Sequence, residues 1–287
     1  MVRAARRTLP RACWGYGRGM SSEATDVLAQ LADLPGVRAA ADEARGAIDA
    51  LLWDRATRRV AGELARQSAL RGGWASAAMD GAEIPFDAVA TGTIETSPMG
   101  ERTARTVALT RELPRLVDIY GRSPSQAWAR MNTTLVAGLA PAQEVGRPRA
   151  DSDVEDPLRL GAVPLAMHAG DRLAALAQVI VTPTEAPAIV VAGVVHGELA
   201  VLRPFRHASG PVARATIRLS LASRGLDPDL LSIPESGLLT LGRAKYVRAL
   251  RDYAAGTPQG MAAWLCWFAA AIGTGAEQSH RIVPELG

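Results

Sequence analysis

The chain has 287 residues, 48% hydrophobic and 21% charged, with a formal net charge of +3. That balance describes a globular, core-forming protein and excludes disordered and fibrous classes. No run of about eighteen apolar residues marks a membrane span, so no membrane partner is expected. The positive charge is local: Arg3, Arg6, Arg7, Arg11 and Arg18 precede residue 22 with no acid among them, and the remainder is slightly negative. No nucleic-acid partner is expected from such a distribution.

Residues 1–22 lack the apolar h-region of a secretory signal. They read as a disordered tail, or as a start assigned too early with Met20 the true start. A cytoplasmic, bacterial protein is expected. Cys13 and Cys266 give no disulfide pattern, and His168, His196, His207 and His280 form no close ligand pair. No metal held through His and Cys is expected. Lys245 is the only lysine and Asn132 the only asparagine. A GC-rich coding sequence produces that bias, so the abundance of arginine carries no message about phosphate.

Helical spacing runs from Thr25 to Met79, through Leu28, Leu31 and Leu34, then Val37, Ala41, Ala44, Ile48 and Leu51. Pro35-Gly36 breaks it, and Gly72-Gly73 is expected to stop or bend it. A short helix follows, Trp74 to Gly81, with Ser76 and Asp80 on one face. Residues 82–100 read as loop. Helices are expected over Glu101–Tyr120 and Pro124–Leu139. The stretch Pro141–Asp156 reads as loop, and its acidic run (Asp151, Asp153, Glu155, Asp156) as a solvated face. His168 is expected in a loop before a helix marked by Leu173, Leu176 and Ile180. Residues Pro187–Leu202 are apolar on every side. Periodicity does not separate helix from strand there, but length favours a buried central helix. Val212–Arg224, Gly242–Ala255 and Met261–Gln278 complete a helical chain with no repeat, P-loop or dinucleotide fingerprint.

The stretch with most chemistry is HGELAVLRPFRHASGPVAR, His196 to Arg214. A turn over Arg206–Gly210 leads into a helix that Pro211 opens at its first position. Such a start exposes backbone N–H groups and attracts anions, phosphate above all. Ser209, Gly210, Arg203 and Arg214 are the candidate phosphate ligands, since arginine offers paired donors and keeps its charge. The competing reading is an ordinary helix cap with two exposed arginines, Arg214 and Arg218. His196 in its apolar surroundings reads as a satisfied core histidine.

This stretch resembles the motif of Fic (Fido-fold) proteins, His-Pro-Phe-x-(Asp/Glu)-Gly-Asn-Gly-Arg-x-x-Arg. Pro204, Phe205, Gly210 and Arg214 match in register, and His196 matches a histidine common upstream. Arg203 stands where the family has its catalytic histidine, and His207 where it has the acid that holds magnesium. Ala208 and Ser209 replace Gly-Asn, and Pro211 replaces the first arginine. Three further segments resemble the family in order. Ser76, Asp80 and Gly81 fall where its inhibitory helix has Ser/Thr-x-x-x-Glu-Gly/Asn. Glu144–Arg149 falls at its flap hairpin. Tyr246–Ala271 is similar to its closing helices.

The resemblance implies a mainly α, Fido-type fold with a short flap hairpin and an N-terminal helical extension. It divides the chain into 1–22, N-terminal helices over 23–100, a core over 101–279 and a tail over 280–287. It implies an AMP-transferase ancestry in which the base is gone, because arginine does not take up a proton. The candidate catalytic groups that remain are Arg203, for charge, and His207, as a base or a solvent-facing loop histidine. The expected ligand is ATP or another nucleotide, without a protein magnesium ligand in the motif. Asp80 is expected within salt-bridge reach of Arg214, blocking productive nucleotide binding. Three functions stay open: a diverged protein that keeps a phosphate-binding turn, a transferase with altered chemistry, and an interaction module for a protein target.

Overall fold

The computed structural model describes residues 26–287; the readings on residues 1–22 and Cys13 lie outside the described residues. The described chain is helical, with no strand among its residues. Helices α1 (Val27–Ala32), α2 (Val37–Trp53) and α3 (Arg55–Met79) open it. Helices α4 (Phe86–Thr91), α5 (Pro98–Glu112), α6 (Val117–Arg122) and α7 (Pro124–Val136) follow. After a long loop come α8 (Ala166–Val181), α9 (Ala188–Leu202) and α10 (Ser209–Ser223). Helices α11 (Pro234–Leu241), α12 (Arg243–Ala254) and α13 (Pro258–Ile282) close it.

The α2 stripe Val37, Ala41, Ala44, Ile48 and Leu51 is buried, and it lies along α13. At the centre is α9, apolar all round, enclosed by α8, α10, α12 and α13. That burial settles the helix-or-strand question: a lone segment with no strand partner satisfies its buried backbone only as a helix.

Several expectations are corrected. Gly72-Gly73 does not interrupt α3, whose 25 residues, Arg55–Met79, lie between caps Asp54 and Asp80, with Gly81 following at φ +93°. The glycines serve close approach instead. A Cβ on Gly73 would stand 2.5 Å from Val107 Cα on α5, and one on Gly72 would stand 2.2 Å from Arg218 Nη2. The expected loop 82–100 contains α4, whose six residues are too few to show a period. His168 lies on α8, not in a loop. In the expected tail 280–287, α13 continues to Ile282 and Val283 is buried.

The flap hairpin does not form. Between α7 and α8 the chain crosses as a loop. Gly146 takes φ +68° and Pro148 has no N–H, so this stretch is poorly made for a ladder. It bonds to the α9–α10 turn instead: Arg149 N–H donates to Pro204 O at 2.8 Å, and Glu155 N–H to Arg206 O at 2.9 Å.

The glycines give a sharp contrast. Gly73→Ala is expected to destabilise the protein by about 1–3 kcal/mol, because backbone, not a flexible side chain, meets the new methyl. Gly46→Ala and Gly62→Ala, which meet nothing within 4 Å, are expected to stabilise by roughly 0.5–1 kcal/mol. Urea denaturation midpoints of the three variants check this.

Candidate functional site

The turn between α9 and α10 is built by two residues in left-handed conformation, Arg203 at φ 44° and Ala208 at φ 59°. Arg203 ends α9, its N–H bonded to Leu199 O at 3.0 Å. Ala208 starts α10, so Ser209 is the first helical residue and Pro211 the third, not the first. Pro211 has no N–H and Val212 N–H is bonded to Ala208 O at 3.2 Å. The donors of the helix start are therefore those of Ala208, Ser209 and Gly210. The Ser209 hydroxyl closes the turn on itself. Its Oγ accepts from Phe205 N–H at 2.9 Å and donates to Phe205 O at 2.8 Å. This side chain is not free to hold a phosphate, which corrects its place among the candidate ligands.

Arg214 and Arg218 are buried, not exposed. Both reach α3 in the same way. Arg214 Nε donates to Ser76 Oγ at 2.8 Å and Nη2 to Ser76 O at 2.9 Å. Its Nη2 also meets Asp80 Oδ2 at 2.6 Å, with neither side chain more than 1% exposed. The expected approach of Asp80 to Arg214 is thus a direct, fully desolvated ion pair. One turn along, Arg218 pairs with Glu235 at 2.9 Å and bonds Ser68 Oγ and O. Burial works to lower the Arg214 pKa, but Asp80 and Tyr246 outweigh it and hold the guanidinium above its ordinary range. Gly81 continues past the ion pair as the left-handed exit of α3.

His196 lies behind this pair. Its Nδ1 faces Ala213 O at 2.9 Å and its Nε2 faces the Tyr246 hydroxyl at 2.9 Å. The arrangement requires a neutral ring that donates from Nδ1 and accepts at Nε2. Burial pushes its pKa from 6.5 down to about 3, with the Arg214 charge adding to that.

The acidic run 151–156 is solvent-facing on its outer side, as expected, but it is also engaged with the turn beneath it. It folds over the turn as a strap and meets its cations one by one. Asp151 pairs with Arg206 at 2.8 Å, and Asp153 pairs with Arg206 as well. Asp156 pairs with Arg203 at 3.1 Å. Glu155 accepts from Ala208 N–H at 3.2 Å, placing a carboxylate at the N-terminus of α10, and its other oxygen meets His207 Nδ1 at 3.2 Å. Glu144 takes the opposite ring nitrogen, Nε2, at 3.2 Å. Arg203 is 5% exposed; burial lowers its pKa, with Asp156 working against that.

Two residues that sequence reasoning missed hold the strap. Arg149 is buried and donates from Nε to Arg203 O at 2.9 Å and from Nη2 to Pro164 O at 2.6 Å. It puts a cation on the carbonyls that end α9, where the helix dipole favours one. Asn132 donates to His207 O and accepts from Gly146 N–H, both at 2.9 Å. Its buried position on the apolar face of α7 was the available signal.

Two cavities meet at the strap. A cleft of about 930 Å³ is lined by Pro98, Arg102, Leu135, Leu139, His207 and Pro211. A second, of about 20 Å³, lies among Asp80, Arg203, Gly210 and Tyr246. Glu155 lines both. The donor set does not fit a magnesium ion: the turn presents Arg203, Arg206 and His207, and its acids are committed to them. Among the described residues no group of three or more His, Cys, Asp or Glu converges as metal ligands would.

This helical arrangement, with a buried central helix delivering a turn to a second helix, is the Fic fold. The chain is similar to a Fic family protein from Desulfovibrio desulfuricans G20, at 18% identity and TM-score 0.68, over 85% of this chain and 74% of that one. It is similar to Fic-1 (residues 134–508) from C. elegans at 16% and 0.63, over 88% and 72%. A Fic domain containing signaling protein from Bacteroides thetaiotaomicron VPI-5482 matches at 12% and 0.60, over 86% and 99%. No family model matches the sequence, and no curated protein matches it. The likeness is therefore one of fold.

Two measurements probe the buried pair and its neighbour. Asp80→Ala is expected to cost about 3–5 kcal/mol by leaving the Arg214 charge buried and unpaired, while Asp80→Asn keeps an acceptor and costs less. Chemical denaturation of the two variants checks the order. For His196 the folded pKa lies below the unfolded one, so the unfolded chain takes up a proton first. Its contribution is complete above pH 6.5 and falls as pH drops towards 3, by at most about 1.4 kcal/mol per pH unit. Stability measured across that range is expected to lose this slope in His196→Gln.

Proposed function

We propose that this chain is a diverged Fic-fold protein that does not transfer AMP by proton abstraction at the motif, and that its 203–214 turn remains a phosphate-recognition element. The observation that carries the first half is Arg203. It occupies the position before Pro204-Phe205, stays protonated, and is held by Asp156 and by a hydrogen bond to Gly161 O. A group that is already a cation cannot accept the proton of an attacking hydroxyl. His207, the other candidate base, sits between Glu144 and Glu155 with both ring nitrogens engaged. No step through a metal ion is derived, because the donor set does not suit one.

The second half rests on what the turn holds already. Carboxylates sit where phosphate oxygens would be recognised: at the α10 N-terminus and against Arg203 and Arg206. A site that selects oxyanions from its own chain has the donors to select them from a ligand.

Incubation with magnesium and ATP labelled at the α-phosphate is expected to leave no label on wild type or on Asp80→Asn, with a protein target mixture added or not. Label on protein in either variant overturns the first half. Nucleotides and pyrophosphate at millimolar concentration are expected to raise the melting temperature in a salt-sensitive way. A ligand at ten times its Kd adds about 1.4 kcal/mol. A flat response from the whole panel in both variants, and also in a variant with the acids of residues 151–156 neutralised, sinks the second half.

A further inference from the structure

The strap that crosses the turn does more than neutralise charge. Glu155 is the partition between the open cleft of about 930 Å³ and the cavity of about 20 Å³ against Asp80, Arg203 and Gly210. The smaller space has room for about one water and none for a phosphate group. Two buried polar atoms have no hydrogen-bond partner beside Gly210, which lines this space: Asp80 Oδ1 and Arg214 Nη1. Both lie 3.2 Å from where a Cβ on Gly210 would stand. Arg203 Nε, on a side chain 6% exposed, is also without one. Two unpaired donors, Arg203 Nε and Arg214 Nη1, and one unpaired acceptor, Asp80 Oδ1, are thus buried on the far side of the strap from the cleft.

We propose that residues 151–156 are a gate: an internal anion that competes with phosphate-bearing ligands for the turn and whose release joins the cleft to Arg203 and the α10 N-terminus. This rests on the turn being a phosphate-recognition element, and it adds what controls access to it. The energetics separate a removable part from a fixed one. Asp151 and Asp153 are 55% and 80% exposed, and Glu155 is 36% exposed. Exposed pairs of this kind contribute little, so a ligand oxyanion replaces them at small cost. Arg149, by contrast, is buried and bonded to Arg203 O and Pro164 O. It also donates to Asp151 O, so it anchors the strap at the backbone of its first acid, and the carboxylates are the part that moves. The cleft then supplies the remainder of the ligand site: apolar walls from Leu135 and Leu139, and Arg102, whose partner is Glu155 itself at 3.5 Å. Moving Glu155 frees three groups together, the Ala208 N–H, the Nδ1 side of His207 and Arg102, while Glu144 stays on His207 Nε2. The ligand class is a phosphate or diphosphate carrying a partly apolar group.

The test is titration calorimetry of the full chain with pyrophosphate at fixed ionic strength. The strap variant carries Asp151→Asn, Asp153→Asn, Glu155→Gln and Asp156→Asn. A control variant carries Asp42→Asn, Glu43→Gln, Glu185→Gln and Glu277→Gln, the same charge change at exposed positions elsewhere. The strap variant is expected to bind pyrophosphate at least tenfold more tightly than wild type and than the control. Adding Arg206→Ala and His207→Ala to it is expected to abolish the gain. Circular dichroism and melting curves establish that each variant is folded. Equal, measurable binding by wild type and strap variant overturns the gate while leaving phosphate recognition standing. A gain that the control shares, or that survives loss of Arg206 and His207, overturns it as a net-charge effect. Absence of binding in all of them overturns both the gate and the recognition on which it rests.

Discussion

Two arginines one turn apart on α10 are buried, and a buried guanidinium is costly unless its charge is paired and its donors are hydrogen-bonded. The structure is arranged to supply those partners. Ser68, Gly72, Ser76 and Asp80 recur every four residues along one face of α3. Arg218 lies against the first pair and Arg214 against the second, each bonded to a serine hydroxyl and the same serine's carbonyl. Asp80 answers Arg214; Glu235, from the start of α11, answers Arg218. The absence of a side chain at Gly72 makes room for Arg218 and Glu235. This seam fixes the distance and rotation of α10 relative to α3, and therefore the position of the turn that α10 begins.

The turn itself has two ends with opposite needs. The C-terminus of α9 offers carbonyls and the N-terminus of α10 offers N–H groups. A single loop answers both. Arg149 brings a cation to the first and Glu155 a carboxylate to the second. Asn132 ties the loop to the turn through one donor and one acceptor. The loop has no secondary structure of its own because its polar backbone and side chains are used here. In that role it stands where a strand pair was expected.

The two electrostatic layers differ in strength. The two ion pairs of α10, with Asp80 at the end of α3 and Glu235 on α11, are desolvated, and removing one member leaves a charge with nothing to replace its partner. The strap pairs face solvent, and water or another anion replaces them. A rigid floor with an exchangeable cover follows from burial alone.

The sequence by itself determined most of the helices and their order; the short α4 and α11 were not read from it. Apolar residues at spacings of three and four, proline at helix starts and glycine at ends are local signals, and they place α2, α7, α9, α12 and α13 with few errors at the boundaries. It also placed Asp80 and Arg214 within reach of each other, because the motif resemblance carried a long-range pairing that spacing does not contain. What tertiary structure decided was the use of each polar residue. Gly72-Gly73 reads as a break on the chain, but α5 and Arg218 press on that face, so the glycines extend the helix. Acids 151–156 read as solvated because charge runs usually are; only the fold brings Arg203, Arg206 and His207 beneath them. Ser209 reads as a phosphate ligand until the backbone of Phe205 claims its hydroxyl. Arg149 and Asn132 were not read as functional residues, since most of their partners are carbonyls and N–H groups more than a dozen residues away. Helix formation is a local matter of period and caps, whereas the satisfaction of a buried polar group depends on what the rest of the chain brings to it.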